Sequence, residues 1–208
     1  MVWTIPNTLT TLRLLAAAAV PVMFLYFSRP WADWLALTLF VGAAVTDWFD
    51  GYLARAWKQE SQFGAMLDPI ADKAMVVIAI MVITGYSGMN PWLILPATII
   101  LFREVFVSGL REFLGDRAGL LKVTRLAKWK TTAQMVALAV LFLGTGLHYL
   151  ETGRPPRAGE GELPPGMSWA ALATMLGLAL IWIAAALTLL TGWDYFRKAL
   201  PLLKDVPR

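Results

Sequence analysis

Cysteine is absent from the 208 residues of this chain. There is therefore no disulfide, no thiol nucleophile and no cysteine-based metal site. Histidine occurs once, at His148, which argues against a Ser-His-Asp triad and against a His-rich zinc site. Charge is scarce too: 15% of residues are charged, where soluble domains carry about a quarter. The N-terminus lacks the basic segment of a cleavable signal. The first arginine, Arg13, follows a polar stretch, so the first apolar run reads as a retained helix. No internal repeat is visible, and no stretch has the low complexity of a disordered tail.

What fills the chain instead is apolar. Hydrophobic residues make up 58% of it, and the mean hydropathy is +0.61, which points to a polytopic membrane protein. Seven of the ten tryptophans (Trp31, Trp34, Trp57, Trp92, Trp129, Trp169 and Trp193) flank apolar runs, as an interfacial aromatic belt requires. The net charge of +4 is modest. It speaks to topology and anionic lipid rather than to nucleic acid, which is not expected as a partner.

A helix needs about 20 mostly apolar residues to cross a bilayer. Six segments qualify: Pro6 to Phe27, Trp34 to Trp57, Asp68 to Tyr86, Pro91 to Phe113, Lys130 to Tyr149 and Trp169 to Phe196. The expected fold is all-α: one integral-membrane domain over residues 1–208, with six transmembrane helices and a polar cavity at the cytoplasmic end. The Pro/Gly-rich stretch 150–168 reads as an irregular loop. Basic residues set the orientation. Ten lie in the loops around 58–67 and 114–130 and in the C-terminal tail, while Arg29, Arg154 and Arg157 lie on the other side. The richer side is expected to be cytoplasmic, with both termini there.

This topology gives meaning to four aspartates in an otherwise greasy chain. Asp47 and Asp50 are spaced i,i+3 near the end of the second segment; Asp68 and Asp72 are spaced i,i+4 at the start of the third. Each pair can share a helix face, and a short loop brings both pairs to the cytoplasmic membrane edge. Asp68 followed by Pro69 also suits an N-cap with proline at the first helical position, a plainer role that leaves the other three acids unexplained. Carboxylates within apolar sequence need partners, a cation or a polar cavity. Four acids against one nearby arginine, Arg55, do not balance as a mere ion-pair network. Without histidine or cysteine the acids favour Mg²⁺, Mn²⁺ or Ca²⁺. Four carboxylates from two helices are able to hold two such ions about 3.5–4 Å apart, a pair suited to clamping a pyrophosphate. Gly51 and Gly64 remove side chains beside the acids, so that backbone can approach a ligand.

The order Asp47-x-x-Asp50-Gly51-x-x-Ala54-Arg55, then eight residues, then Gly64-x-x-x-Asp68-x-x-x-Asp72 resembles the signature of the CDP-alcohol phosphotransferase family at all of its fixed positions. The stretches Ile5 to Arg13, Gly64 to Lys73, Arg103 to Phe113 and Lys128 to Met135 resemble the bacterial branch whose acceptor is glycerol 3-phosphate. The likeness runs from Ile5 to about residue 145. The 150–168 loop looks longer than expected of that branch, and the last helix carries no recognisable motif.

The resemblance implies transfer of the phosphatidyl group from CDP-diacylglycerol to an alcohol, with release of CMP. It implies two divalent cations, Mg²⁺ or Mn²⁺, on Asp47, Asp50, Asp68 and Asp72, with Asp72 also the general base. It places the cytidine diphosphate near Gly51, Ala54, Arg55 and Gly64, helped by Asn7 and Thr10. It also implies the inner membrane of a bacterium, contact with membrane lipids and a homodimer. For glycerol 3-phosphate, the candidate cations are Arg103, Arg111, Lys128 and Lys130. Arginine suits bidentate phosphate contact, and Arg103 lies inside an apolar run where charge needs a reason. Lys128 and Lys130 also fit the ordinary basic flank of a membrane helix. Two other readings stand beside this one. A sibling enzyme would use inositol phosphate, serine or phosphatidylglycerol as acceptor. A divalent-cation transporter would use the acids for permeation, though such sites are expected near the midplane of internal repeats.

Overall fold

A computed structural model of the chain describes residues 4–56, 61–87, 90–121, 125–155 and 168–204; side chains at 48–56, 116, 118, 120, 125–128 and 204 lie outside the description. Everything regular in it is helical. The helices are α1 (Ile5–Tyr26), α2 (Trp31–Ala56), α3 (Gln62–Tyr86), α4 (Pro91–Leu114), α5 (Arg125–Thr152) and α6 (Trp169–Lys204), with a short 3-10 segment, Gly115–Leu120, after α4.

Helix starts follow local chemistry. The Thr4 side chain accepts from the Asn7 N–H, and proline stands in the first turn of α1. The Asn90 side chain accepts from the Trp92 N–H at 2.9 Å, with Pro91 opening α4. α3 departs from expectation. It begins at Gln62, one and a half turns before Asp68, because the Ser61 hydroxyl caps it by accepting from the Gly64 N–H at 3.0 Å. Asp68 is therefore not an N-cap, and Pro69 lies inside the helix. α6 also runs two turns beyond Phe196, to Lys204. At 1.5 Å per residue its 36 residues reach about 54 Å, longer than a bilayer core is thick.

Four helical stretches are long and apolar enough to cross a membrane: Ile5–Tyr26, Pro91–Leu114, Trp129–Thr152 and Trp169–Leu203. α2 and α3, which carry the aspartates, fall short of the same measure among the described residues. Large side chains such as Leu15, Phe102, Val105 and Leu190 face outward, as contact with lipid requires. Trp31, Trp92, Trp129, Trp169 and Trp193 are exposed as well, whereas Trp34 is half-buried.

Lipid tails are as apolar as leucine, so close packing rather than water exclusion holds such helices together. Small buried residues allow it: Ala32, Ala36, Ala137, Ala170 and Ala184 have no exposed surface. α1 packs on α2 and α3, α4 packs on α6, and α5 packs on α6 and α2. Phe142 of α5 sits fully buried where three helices meet, its ring 5.9 Å from Phe24 of α1 and 5.5 Å from Phe40 of α2. The buried face of α1 runs Asn7, Thr10, Arg13, Ala17, Val20, Phe24. Its first half is polar and its second half apolar, so the same stripe enters a polar site at one end and the hydrophobic core at the other.

Candidate functional site

The polar half of the α1 stripe meets the aspartates. The Arg13 guanidinium, with no exposed surface, is ion-paired through Nη1 to Oδ1 of Asp47 on α2 and, at 3.2 Å, to Oδ1 of Asp72 on α3. One turn earlier, the Thr10 hydroxyl donates to Asp68 Oδ1 at 2.8 Å. Another turn earlier, the Ser61 hydroxyl donates to the Asn7 side-chain oxygen at 2.8 Å. Successive turns of α1 thus engage the α3 cap, Asp68 and Asp72.

The close approach of α1 to the start of α3 needs a glycine. A Cβ on Gly64 would lie 2.7 Å from Asn7 Oδ1, well inside van der Waals contact. Asn7, Thr10, Gly64, Asp47, Asp68 and Asp72 are therefore brought into one region. Asp50, Gly51, Ala54 and Arg55 lie on the same helix as Asp47, with side chains outside the described residues.

Arg13 was not among the sequence-derived site residues. Its signal was there: a charge inside an apolar run, on the face shared by Asn7 and Thr10 at i,i+3,i+6. Its presence changes the charge count, which had set the acids against Arg55 alone. Arg13 still cannot neutralise Asp47, Asp68 and Asp72 together. Asp72 lies close enough to both other carboxylates to feel their charge as well as that of Arg13. The Asp47 and Asp72 side chains keep 43% and 41% of their surface open. A surplus of hard oxygen donors on an accessible face fits divalent cations. Among the described residues no three acidic or imidazole side chains gather tightly enough to ligate an ion by themselves; the Asp50 side chain is outside that set.

A second charged group forms where α3, α4 and α5 meet. The carboxylate of Glu104 is ion-paired through Oε1 to Lys130 Nζ and, at 3.3 Å, to Arg103 Nη1. Lys73 donates to the Ser108 hydroxyl, which in turn donates to the Glu104 backbone oxygen at 2.6 Å. Lys130 is buried, and so are Gln134 and Thr188 beside it, joined by a 3.4 Å hydrogen bond. α6 supports Arg103 closely: a Cβ on Gly192 would lie 2.9 Å from its Cγ. Of the candidate acceptor-binding cations, the structure thus joins Arg103 to Lys130 through Glu104. Arg111 is exposed and stands two turns further along α4, about 12 Å away by helical rise. The Lys128 side chain lies outside the described residues.

Comparison with known proteins gives this arrangement its context. The family model described as CDP-alcohol phosphatidyltransferase matches residues 3–190. The chain belongs to that family. It is 73% identical, over 99% of both chains, to a protein of Cereibacter sphaeroides named CDP-diacylglycerol–glycerol-3-phosphate 3-phosphatidyltransferase. Proteins of the same name from Pectobacterium atrosepticum and Escherichia coli K12 are 39% and 38% identical. The match covers 96% of both chains in the first case, and 99% of this chain and all of the other in the second.

Proposed function

We infer that this chain is a CDP-diacylglycerol–glycerol-3-phosphate 3-phosphatidyltransferase. It transfers the phosphatidyl group to glycerol 3-phosphate, yielding phosphatidylglycerol phosphate and CMP. The observation that carries this is the convergence of Asp47, Asp68 and Asp72 on Arg13 and Thr10, in a chain that matches bacterial proteins named for the reaction along nearly its whole length.

Asp47, Asp50, Asp68 and Asp72 would hold two divalent cations, Mg²⁺ or Mn²⁺. When bound, these ions supply Lewis-acid polarisation of the phosphatidyl phosphate and neutralise charge on departing CMP. Asp72 takes the proton from the acceptor hydroxyl, which must lie within hydrogen-bond reach of it. The freed oxygen forms its bond to the phosphatidyl phosphorus as the bond to the CMP oxygen breaks. Arg13 fixes Asp72 relative to Asp47 from the buried side, leaving their outer oxygens for ligands. Asn7, Thr10, Gly51, Ala54, Arg55 and Gly64 surround the cytidine diphosphate, and the bare backbone of Gly64 lets it approach. Arg103 and Lys130 receive the acceptor phosphate, while Lys128 and Arg111 add positive charge on its approach path.

The proposal includes six membrane crossings by one domain in the inner membrane of a bacterium. Both termini and the site face the cytoplasm, and the polar cavity opens sideways to lipid. The acyl chains of the donor then stay in the bilayer, while glycerol 3-phosphate arrives from water. The excess of basic residues on one side supports that orientation. A homodimer belongs to the same proposal on family likeness.

The test is an assay of purified protein with CDP-diacylglycerol and, separately, glycerol 3-phosphate, inositol phosphate, serine and phosphatidylglycerol. Each is run with Mg²⁺ and with EDTA. Product from glycerol 3-phosphate that requires the metal is expected. Product from inositol phosphate or serine alone would sink the assignment.

A further inference from the structure

The charged group around Glu104 holds more than the proposed acceptor site needs. Among the described residues three cations, Lys73, Arg103 and Lys130, share one region with a single carboxylate, Glu104, and Lys130 feels the charge of the others. Arg103 and Glu104 have only 13% and 15% of their side-chain surface exposed. A buried cation without a partner is strongly disfavoured, so the cluster needs an anion of its own when no substrate is present. Glu104 meets that need but cannot meet it fully. Two positive charges remain, and the buried Arg103 Nε has no hydrogen-bond partner among the described residues.

Resting on the reading that Arg103 and Lys130 receive the acceptor, we propose that Glu104 is a specificity-determining counter-ion. Its carboxylate stands in for the acceptor phosphate in the empty site and trims three positive charges to two, matching a phosphate monoester dianion. Three cations alone would leave a dianion over-compensated and the empty site under stronger self-repulsion. With Glu104, a bound dianion brings the group to neutrality. Serine carries no net charge and a phosphodiester lipid such as phosphatidylglycerol carries one negative charge, so neither completes the balance. On this argument, the choice among acceptor classes is written in the sum of charges around Glu104. The separate preference for glycerol over another alcohol lies elsewhere.

The experiment compares two variants of the full-length enzyme in detergent–lipid micelles, with both substrates varied. Glu104→Gln keeps the shape and removes the charge. It should lower KM for glycerol 3-phosphate by about threefold or more through the added net positive charge, leave KM for CDP-diacylglycerol unchanged and reduce kcat. An unchanged or raised acceptor KM overturns the counter-ion role. Lys130→Gln should raise the same KM by about tenfold, the usual scale for losing a charged hydrogen-bond partner. If Lys130→Gln leaves that KM alone, the acceptor-site reading itself fails, whatever Glu104→Gln does.

Where Glu104→Gln fails to fold, the unmodified enzyme still tests the charge match. At about pH 8 methyl phosphate is a dianion, because a phosphate monoester has its second pKa near 6, while dimethyl phosphate is a monoanion. Methyl phosphate should compete with glycerol 3-phosphate at least about tenfold more strongly than dimethyl phosphate. Equal inhibition by the two, or none by methyl phosphate, overturns the proposal.

Discussion

Two arginines, one in the first half of α1 and one just after its end, each meet aspartate, and the two contacts are balanced differently. At the far end Arg29 faces Asp33 one for one. Its guanidinium grips both carboxylate oxygens, with Nε at 2.8 Å from Oδ2. It lies 5.2 Å from the centre of the Phe24 ring, 5.0 Å from Tyr86 and 6.0 Å from Tyr149. Asp33 has no exposed surface, so nothing from outside can reach it. At the near end Arg13, more deeply buried than Arg29, serves Asp47 and Asp72 at once, with Asp68 beside them, and the Asp47 and Asp72 carboxylates open outward. The closed, neutral pair fastens the α1–α2 turn among aromatic rings. Among the described side chains the open group keeps a negative surplus on an accessible face.

The largest effect should come from the open group. Asp72→Asn keeps the hydrogen bond to Arg13 possible but removes the charge and the proposed base. Loss of a positioned base alone costs about 10²–10⁴-fold in rate, and loss of a ligand charge adds to it. Turnover should vanish, while binding of a CDP-diacylglycerol analogue, followed by titration in detergent, is largely kept. EDTA should likewise stop turnover by the unmodified enzyme, with recovery on adding Mg²⁺ or Mn²⁺. Wild-type-like activity in Asp72→Asn would refute the base role.

Arg13→Gln comes next. Arg13 is argued to touch no substrate and to act by holding Asp47 and Asp72. Residues that orient ligands in this way typically cost about 10–100-fold when replaced. The loss should appear as a weaker apparent affinity for Mg²⁺ and a lower kcat, with KM for glycerol 3-phosphate little moved. Arg13→Lys keeps the charge and should restore part of the loss, since one nitrogen, Nη1, makes both carboxylate contacts. Full activity at ordinary Mg²⁺ in Arg13→Gln would mean that the near-end contact is as purely structural as the far-end one.

The contrast also marks what was legible in the sequence. Asp47, Asp50, Asp68 and Asp72 stood out because four acids in apolar sequence demand an explanation, and their spacing put each pair on one helix face. The helices were legible from the lengths of the apolar runs. The start of α3 was misread, since Asp68-Pro69 imitates a helix opening. The actual cap, Ser61, is an ordinary serine whose role depends on the Gly64 N–H and on Asn7 across the interface. Arg13 and Asp33 were passed over for a related reason. Which partner a buried charge finds is fixed by the register of one helix against another, and local spacing does not carry that information. The place of Glu104 between Arg103 and Lys130 required α5 to be docked on the bundle.

The far-end pair should give the smallest effect on chemistry and a plain effect on stability. Asp33→Asn leaves the Arg29 guanidinium buried without its counter-charge, and breaking a buried pair in this way typically costs about 3–5 kcal/mol. The midpoint of thermal unfolding in detergent should fall, while kcat measured per folded molecule stays within about twofold of the parent, because the site is at the other end of α1. Replacing both partners together, Arg29→Met with Asp33→Leu, should recover much of the midpoint, since apolar residues of similar volume often substitute for a buried ion pair at little cost. No such double replacement is available at Arg13, where removing the charges would also remove the oxygens proposed to hold the metal ions and take the proton. If Asp33→Asn instead lowered kcat as far as Arg13→Gln does, the two ends of α1 would be coupled, and charge balance would no longer separate the structural pair from the functional group.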